Sequence, residues 1–453
     1  MKAKKEFKVL SPTAILGYGF PAESFQRGVE LKPDLIAVDA GSVDPGPYYL
    51  GAGKSFTDRN GVKRDLRFIL KAAVKLNIPA LIGSAGGSGA RPHVEWCRKI
   101  IEEIAQEEKL SFKMGIIYSD IDKKLILKSI AEGRTSPLDG LPPLTRETVE
   151  KAERVVAQMG VEPFISAMEQ GCQVILGGRA YDPSVFAAPA IVRGYDPGLA
   201  VHMGKILECA AIAATPGSGA DAVMGILRED CFILRPLNPK RKFTQDSTAA
   251  HSLYEKADPN FLPGPGGVLN LSKVVFEELP DGMVKVSGSI FEPTPRYAIK
   301  LEGVEAAGYR TISIAGTRDP IMISKIDSVL ENVRKQTQDI LCSEKIEGEL
   351  FFHVYGKDGV MGNLEPKKRS SSHELCIVLE ALGRNQAAAD SICSIARSTM
   401  LHFGYEGRIS TAGNLALPFS PSDISAGQVF VFSIYHLMEI DSQDVFKIEI
   451  VEI

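Results

Sequence analysis

Long apolar runs are missing from this sequence: none approaches the roughly 18 residues that a bilayer-spanning helix requires. The opening MKAKKEFKVL is basic, but the following SPTAILGYGF lacks the apolar core and small-residue cleavage site of a secretory signal, so the cytoplasm is the expected location. The seven cysteines, at 97, 172, 209, 231, 342, 376 and 393, are odd in number and form no C-x-x-C pair. That argues against a disulfide framework and against zinc or iron–sulfur sites. A basic surplus is absent too. With a formal net charge of -4 and no stripe of interleaved aromatic and Lys/Arg residues, nucleic acid and anionic membranes find no electrostatic footprint.

What is present is a globular composition, with 44% hydrophobic and 24% charged residues in 453, a length that fits two domains. Through residue 235, short apolar runs (TAILGYG, DLIAVDAG, PALIGSAGG, FKMGIIYSD, CQVILGGRA) each end in Gly, Asp or Ser. Helical patterns such as RDLRFILKAAVKL and TRETVEKAERVVAQM separate most of them. This βαβ rhythm predicts an α/β fold: a mainly parallel, Rossmann-like sheet with helices on both faces. Residues 236–453 read as a C-terminal α+β domain, entered through a long loop rich in proline and glycine. In it, Asp281-Gly282 marks a hairpin, IDSVLENVRKQTQDIL, ELCIVLEAL and AAADSICSIARSTMLHF read as helical, and ELFFHVYG and QVFVFSIYHLMEI as strands.

Ligands of parallel sheets sit outside the carboxyl ends of the strands, which gathers the chemistry-bearing residues at one edge. GSAGGSGARPH, with Ser84, Gly86, Gly87, Ser88, Gly89 and Arg91, is read as a cradle for a carboxylate or phosphate at the start of a helix, against a tight strand-to-helix turn. It matches neither of the two best-attested phosphate-loop patterns. VDAGSVDPGPYYLGAGK supplies Asp39 and Asp44, and GGRAYDPS supplies Arg179, a planar fork for an anion, with Asp182 as its orienter or as a base. HMGKILECA reads as a helix with His202, Lys205 and Cys209 on one face and Glu208 beside it; the competing reading of Cys209 is a core thiol. His93 is a candidate acid, and His251 and Arg296 are candidate substrate contacts from the second domain. No cofactor is expected. Asp120 and Asp122 of SDID are the pair that would serve a divalent metal, with helix capping as the simpler explanation.

Together, DAGSVDPGPYYLGAG, GSAGGSGARPH, GGRAYDPS, LEC and LPGPGG resemble the acyclic terpene utilisation (AtuA-type) family over nearly the whole chain. The resemblance implies a cytoplasmic catabolic protein often found beside a small companion polypeptide, and it implies that Arg179, Asp182, Glu208 and Cys209 recur. At Lys205 the resemblance implies histidine, so this chain departs there.

The expected partners are a small carboxylate or acyl thioester, further copies of the chain, and the companion. The leading expectation is an enzyme that hydrates, dehydrates or isomerises next to a carbonyl. It would need a base (Asp39, Asp182 or Glu208), an acid (His93 or Cys209) and donors for the enolate (Arg179 and the loop amides). The alternatives are carbon–carbon cleavage of a hydroxyacyl compound and a non-catalytic ligand-binding subunit.

Overall fold

The computed structural model describes residues 6–138, 140–253, 258–368 and 371–453. The chain divides into two compact units, one of residues 1–305 with 432–453 and one of 306–431. Residue 235, where the texture of the sequence changes, lies inside the first unit, in a strand of its main sheet.

That sheet has ten strands: β1 (Phe7–Ser11), β2 (Leu35–Asp39), β3 (Ala80–Gly83), β4 (Lys113–Ile117), β5 (Val174–Gly177), β6 (Val223–Leu227), β7 (Cys231–Pro236), β8 (Val275–Leu279), β9 (Met283–Ser287) and β10 (Ile448–Glu452). Their order is β8-β9-β7-β6-β1-β2-β3-β5-β4-β10. The five central strands β1, β2, β3, β5 and β4 run parallel, as the βαβ rhythm predicts. The sheet as a whole is mixed, which corrects the expectation of a mainly parallel one: β6, β7, β9 and β8 add antiparallel on one side and β10 on the other. The reason is local. Only Arg228 to Asp230 separate β6 from β7, and β8 and β9 meet across Pro280–Gly282, where Asp281 has φ 60; such short links close hairpins and cannot make a parallel crossover.

Helices cover both faces. Along β2, Leu35 and Ala37 join one core and Ile36 and Val38 the other, the alternation a pleated strand imposes. Arg59–Leu76 and Arg91–Glu108 lie on the second face. On the first face, Ser184–Val192 is apolar on all sides and its first seven residues are buried. Among the described residues, no helix is long and apolar enough to cross a membrane.

Three local readings are corrected. TAILGYG is not a strand; the strand precedes it, at β1. The pattern TRETVEKAERVVAQM splits into a helix, Arg146–Lys151, and a strand, Arg154–Ala157, which pairs with residues 301–304. ELCIVLEAL is strand, not helix: Leu375–Gly383 pairs antiparallel with Gly348–Tyr355 on one side and with residues 309–317 on the other. Helices Ile326–Glu344 and Gln386–Leu401 pack on that sheet through Val329, Val333, Ile377, Leu379, Ala396 and Met400.

Candidate functional site

The glycine loop after β3 is packed, not open. All residues from Leu81 to Ala90 are buried, and four of its amides are spent inside the protein: Ser84 N on Gly178 O (2.9 Å), Ala85 N on Gly177 O (3.0 Å), Gly87 N on Ser84 O (2.8 Å) and Gly89 N on Ala85 O (3.1 Å). Gly86, Gly87 and Gly89 have φ of 63°, 93° and 70°, a region that favours glycine. Gly89 is also a point of close approach, because a Cβ there would lie 2.0 Å from the backbone N of Arg179. The loop thereby sets the position of the segment that follows β5.

From that segment the Arg179 side chain, 3% exposed, reaches four protein groups, with Nη2 making a longer contact of 3.4 Å to Glu302 Oε1. Its Nε donates to Glu302 Oε2 (2.7 Å), and its Nη1 donates to Asp182 Oδ1 (2.9 Å), Ala180 O (2.8 Å) and Ser84 Oγ (3.2 Å). Glu302 is fully buried and also accepts from Gln158 Nε2 (2.9 Å) and faces Lys300 Nζ at 3.2 Å. Asp182 retains solvent access and does not cap the helix after it; the capping position is Pro183, without a side-chain bond.

Helix Pro197–Leu207 ends with Glu208 at its C-cap, so Cys209 falls just outside the helix expected to carry it. Lys205 Nζ donates to Glu208 Oε1 (2.5 Å). Glu208 in turn meets Asp182 side chain to side chain, which makes a carboxyl pair. Burial, then the Asp182 carboxylate, push the Glu208 carboxyl up to about 8. Burial also opposes charge on Asp182, but the Arg179 guanidinium and the Lys205 ammonium hold it below the usual carboxylate range. These surroundings favour the proton on Glu208 over Asp182.

Asp39, 5% exposed at the end of β2, belongs to the same cluster: burial, then Asp182, hold its carboxyl well above the usual range despite Arg179. Its Oδ2 accepts from Gly41 N (3.2 Å). Its Oδ1 has no bond of ordinary geometry; the Ser84 hydroxyl beside it accepts from Arg179 Nη1 (3.2 Å) and Ala180 N (3.3 Å), which leaves its own proton for Asp39. His251, on helix Gln245–Ser252, is pushed down to about 4 by burial and by the nearby Lys205 ammonium. Cys209 also lies within electrostatic reach of Lys205.

Asp39, Ser84, Arg179, Asp182, Glu208, Cys209 and His251 thus come together at the carboxyl edge of the parallel strands. Three other candidates, His93, Arg91 and Arg296, do not join them. The His93 ring is turned into the loop after β2, where Nε2 meets Tyr49 O and Lys54 O, both at 3.0 Å. Arg91 stacks on Tyr118, 3.7 Å from the ring centroid, at a cavity of about 400 Å3 that Asp120, Asp122 and Lys447 also line. Arg296 is exposed and pairs with Glu439 Oε2 (2.9 Å). Ser88 Oγ is buried, with no bond to the protein. Asp122 caps helix Lys123–Ala131 through Lys124 N (2.8 Å), and Asp120 accepts from Arg91 N (2.8 Å). Among the described residues, no group of three or more His, Cys, Asp and Glu side chains is arranged to hold a metal ion.

Sequence reasoning missed Glu302, Lys300 and Tyr435, whose ring lies 4.0 Å under Lys300 Nζ. The available signal was a glutamate on a strand register where neighbouring residues are buried, since an acid there requires a cationic partner.

The fold and this cluster define an α/β protein with a candidate acid–base centre at the carboxyl edge of its parallel strands. The chain belongs to the acyclic terpene utilisation family, AtuA, whose family model matches residues 59–222 and 228–417. No curated protein and no solved structure matches it.

Proposed function

We propose that this chain is an enzyme of acyclic terpene catabolism that moves a proton at the carbon next to the carbonyl of a small carboxylate or acyl thioester, with hydration, dehydration or isomerisation as the outcome. The observation that supports the reading is the Asp182–Glu208 carboxyl pair, flanked by Arg179 and Lys205. Two carboxyls whose surroundings drive them apart in acidity supply a base and an acid at the same pH.

In the dehydration direction, ionised Asp182 takes the α-proton and the released pair forms the carbon–carbon double bond. The carbon–oxygen bond to the β-hydroxyl breaks as Glu208 passes its proton to that oxygen, and water leaves. Lys205 stands where it offsets the charge left on Glu208. Arg179, with Nε on Glu302 and Nη1 on Asp182, aims Asp182.

Exchange of deuterium from solvent into a panel of hydroxy- and unsaturated acids and their thioesters, with a companion polypeptide present, tests the proposal. Exchange with the native chain and its loss in Asp182→Asn is the expected result. No exchange across the panel overturns it, and product masses separate water loss, which keeps the carbon skeleton, from carbon–carbon cleavage.

A further inference from the structure

We infer that the centre takes an uncharged acyl carbonyl, that of a thioester or another ester, and turns away a free carboxylate. The inference rests on the acid–base reading above and narrows its substrate. A carboxylate leaves water only for a cation or a set of N–H donors turned toward it. Here the cations already face protein carboxylates. The Arg179 guanidinium spends Nε on Glu302 (2.7 Å) and Nη1 on Asp182 (2.9 Å), Ala180 O and Ser84. Lys205 lies 2.5 Å from Glu208. Lys300 lies 3.2 Å from Glu302 and against the face of Tyr435.

Against these three cations stand four carboxyl groups, Asp39, Asp182, Glu208 and Glu302. Burial and neighbouring carboxylates favour the proton on Asp39 and Glu208, so an incoming carboxylate competes with Asp182 and Glu302 for the cations they already face. The glycine loop withholds the amides of Ser84, Ala85, Gly87 and Gly89, which are bonded to backbone carbonyls.

The reaction adds a second reason. Removing an α-proton from a carboxylate builds a second negative charge on the same small fragment. A thioester starts neutral, so its enolate carries one. Glu302 is the residue on which the preference turns. Fully buried, it occupies the guanidinium that an incoming carboxylate would seek.

Calorimetric titration of the purified full chain with 3-hydroxyacyl N-acetylcysteamine thioesters, each against its own free acid at neutral pH, tests this. The thioester is expected to bind about tenfold or more tightly than the acid. Glu302→Gln, which keeps the shape and leaves Arg179 with unspent charge, is expected to narrow the gap several-fold, while Glu302→Asp keeps it. An acid that binds as tightly as its thioester overturns the inference, as does an unchanged preference in a folded Glu302→Gln protein. If that variant does not fold, the comparison in the native chain decides alone. Because calorimetry needs no turnover, a lack of proton exchange defeats the acid–base reading without touching this preference. Tighter binding of the acid defeats the preference even where exchange occurs.

Discussion

His202 and Glu208 lie six residues apart, one inside a helix and the other at its C-cap, yet burial has put them to different uses. The His202 ring is enclosed by Ser289 Oγ (2.7 Å) and Ser252 Oγ (2.9 Å) and pushed down to about 3, so it stays neutral and holds three elements together. Glu208 keeps its proton to about pH 8 and faces a second carboxyl. An acid of that kind works below its pKa and fails above it. The rate of the proposed reaction is therefore expected to fall as pH rises through about 8, as Glu208 loses the proton it must donate. Glu208→Gln is expected to lower kcat/KM by roughly 10²- to 10⁴-fold and to remove that alkaline limb. A pH–rate profile of the two proteins checks it. A limb that persists in Glu208→Gln would assign the titration to another group.

Among the elements, the loop after β3 has the least freedom. Gly89→Ala places a Cβ against the Arg179 backbone in a conformation that side chains rarely adopt, so the segment carrying Arg179 and Asp182 has to move. The expected result is a loss of about 3 kcal/mol or more of stability together with loss of turnover, read by denaturant unfolding and by the exchange assay. Gly46, which has nothing within 4 Å of an added Cβ, also has a positive φ, so its alanine variant reports the conformational cost without the collision.

Four of the five parallel strands, all but β1, were legible because each is a short apolar run stopped by a polar or glycine residue, and the carboxyl-edge rule then named Asp39, Arg179 and Asp182 together. Leu375–Gly383 was not, because Val378 and Leu382 on its less buried face are as apolar as the residues between them, which erases the two-residue period. The site was legible only in part. Glu302 lies 123 residues from the arginine it binds, and nothing local to either residue announces the partner.

For the whole molecule, the buried groups set a pH window. His202 and His251, pushed down to about 3 and about 4, contribute stability that is complete above the ordinary histidine value of 6.5 and is lost as pH falls from there. Glu208 works in the other direction: its contribution is complete below the ordinary value of 4.5 and is lost as pH rises through about 8. The urea midpoint, followed by the fluorescence of Trp96, is expected to decline from neutrality to above pH 8, and to decline less in Glu208→Gln. An equal decline in both proteins would remove Glu208 from that account. The pairing of β10 with β4 also has a bearing on how the chain is made. On the ribosome, β1 to β5 emerge early, but one margin of the sheet they build waits, with its backbone groups exposed, until translation has passed residue 448 and the whole of 306–431 has been produced in between. The nascent first unit therefore spends the synthesis of the second with an open flank, the interval in which it most needs a chaperone's cover.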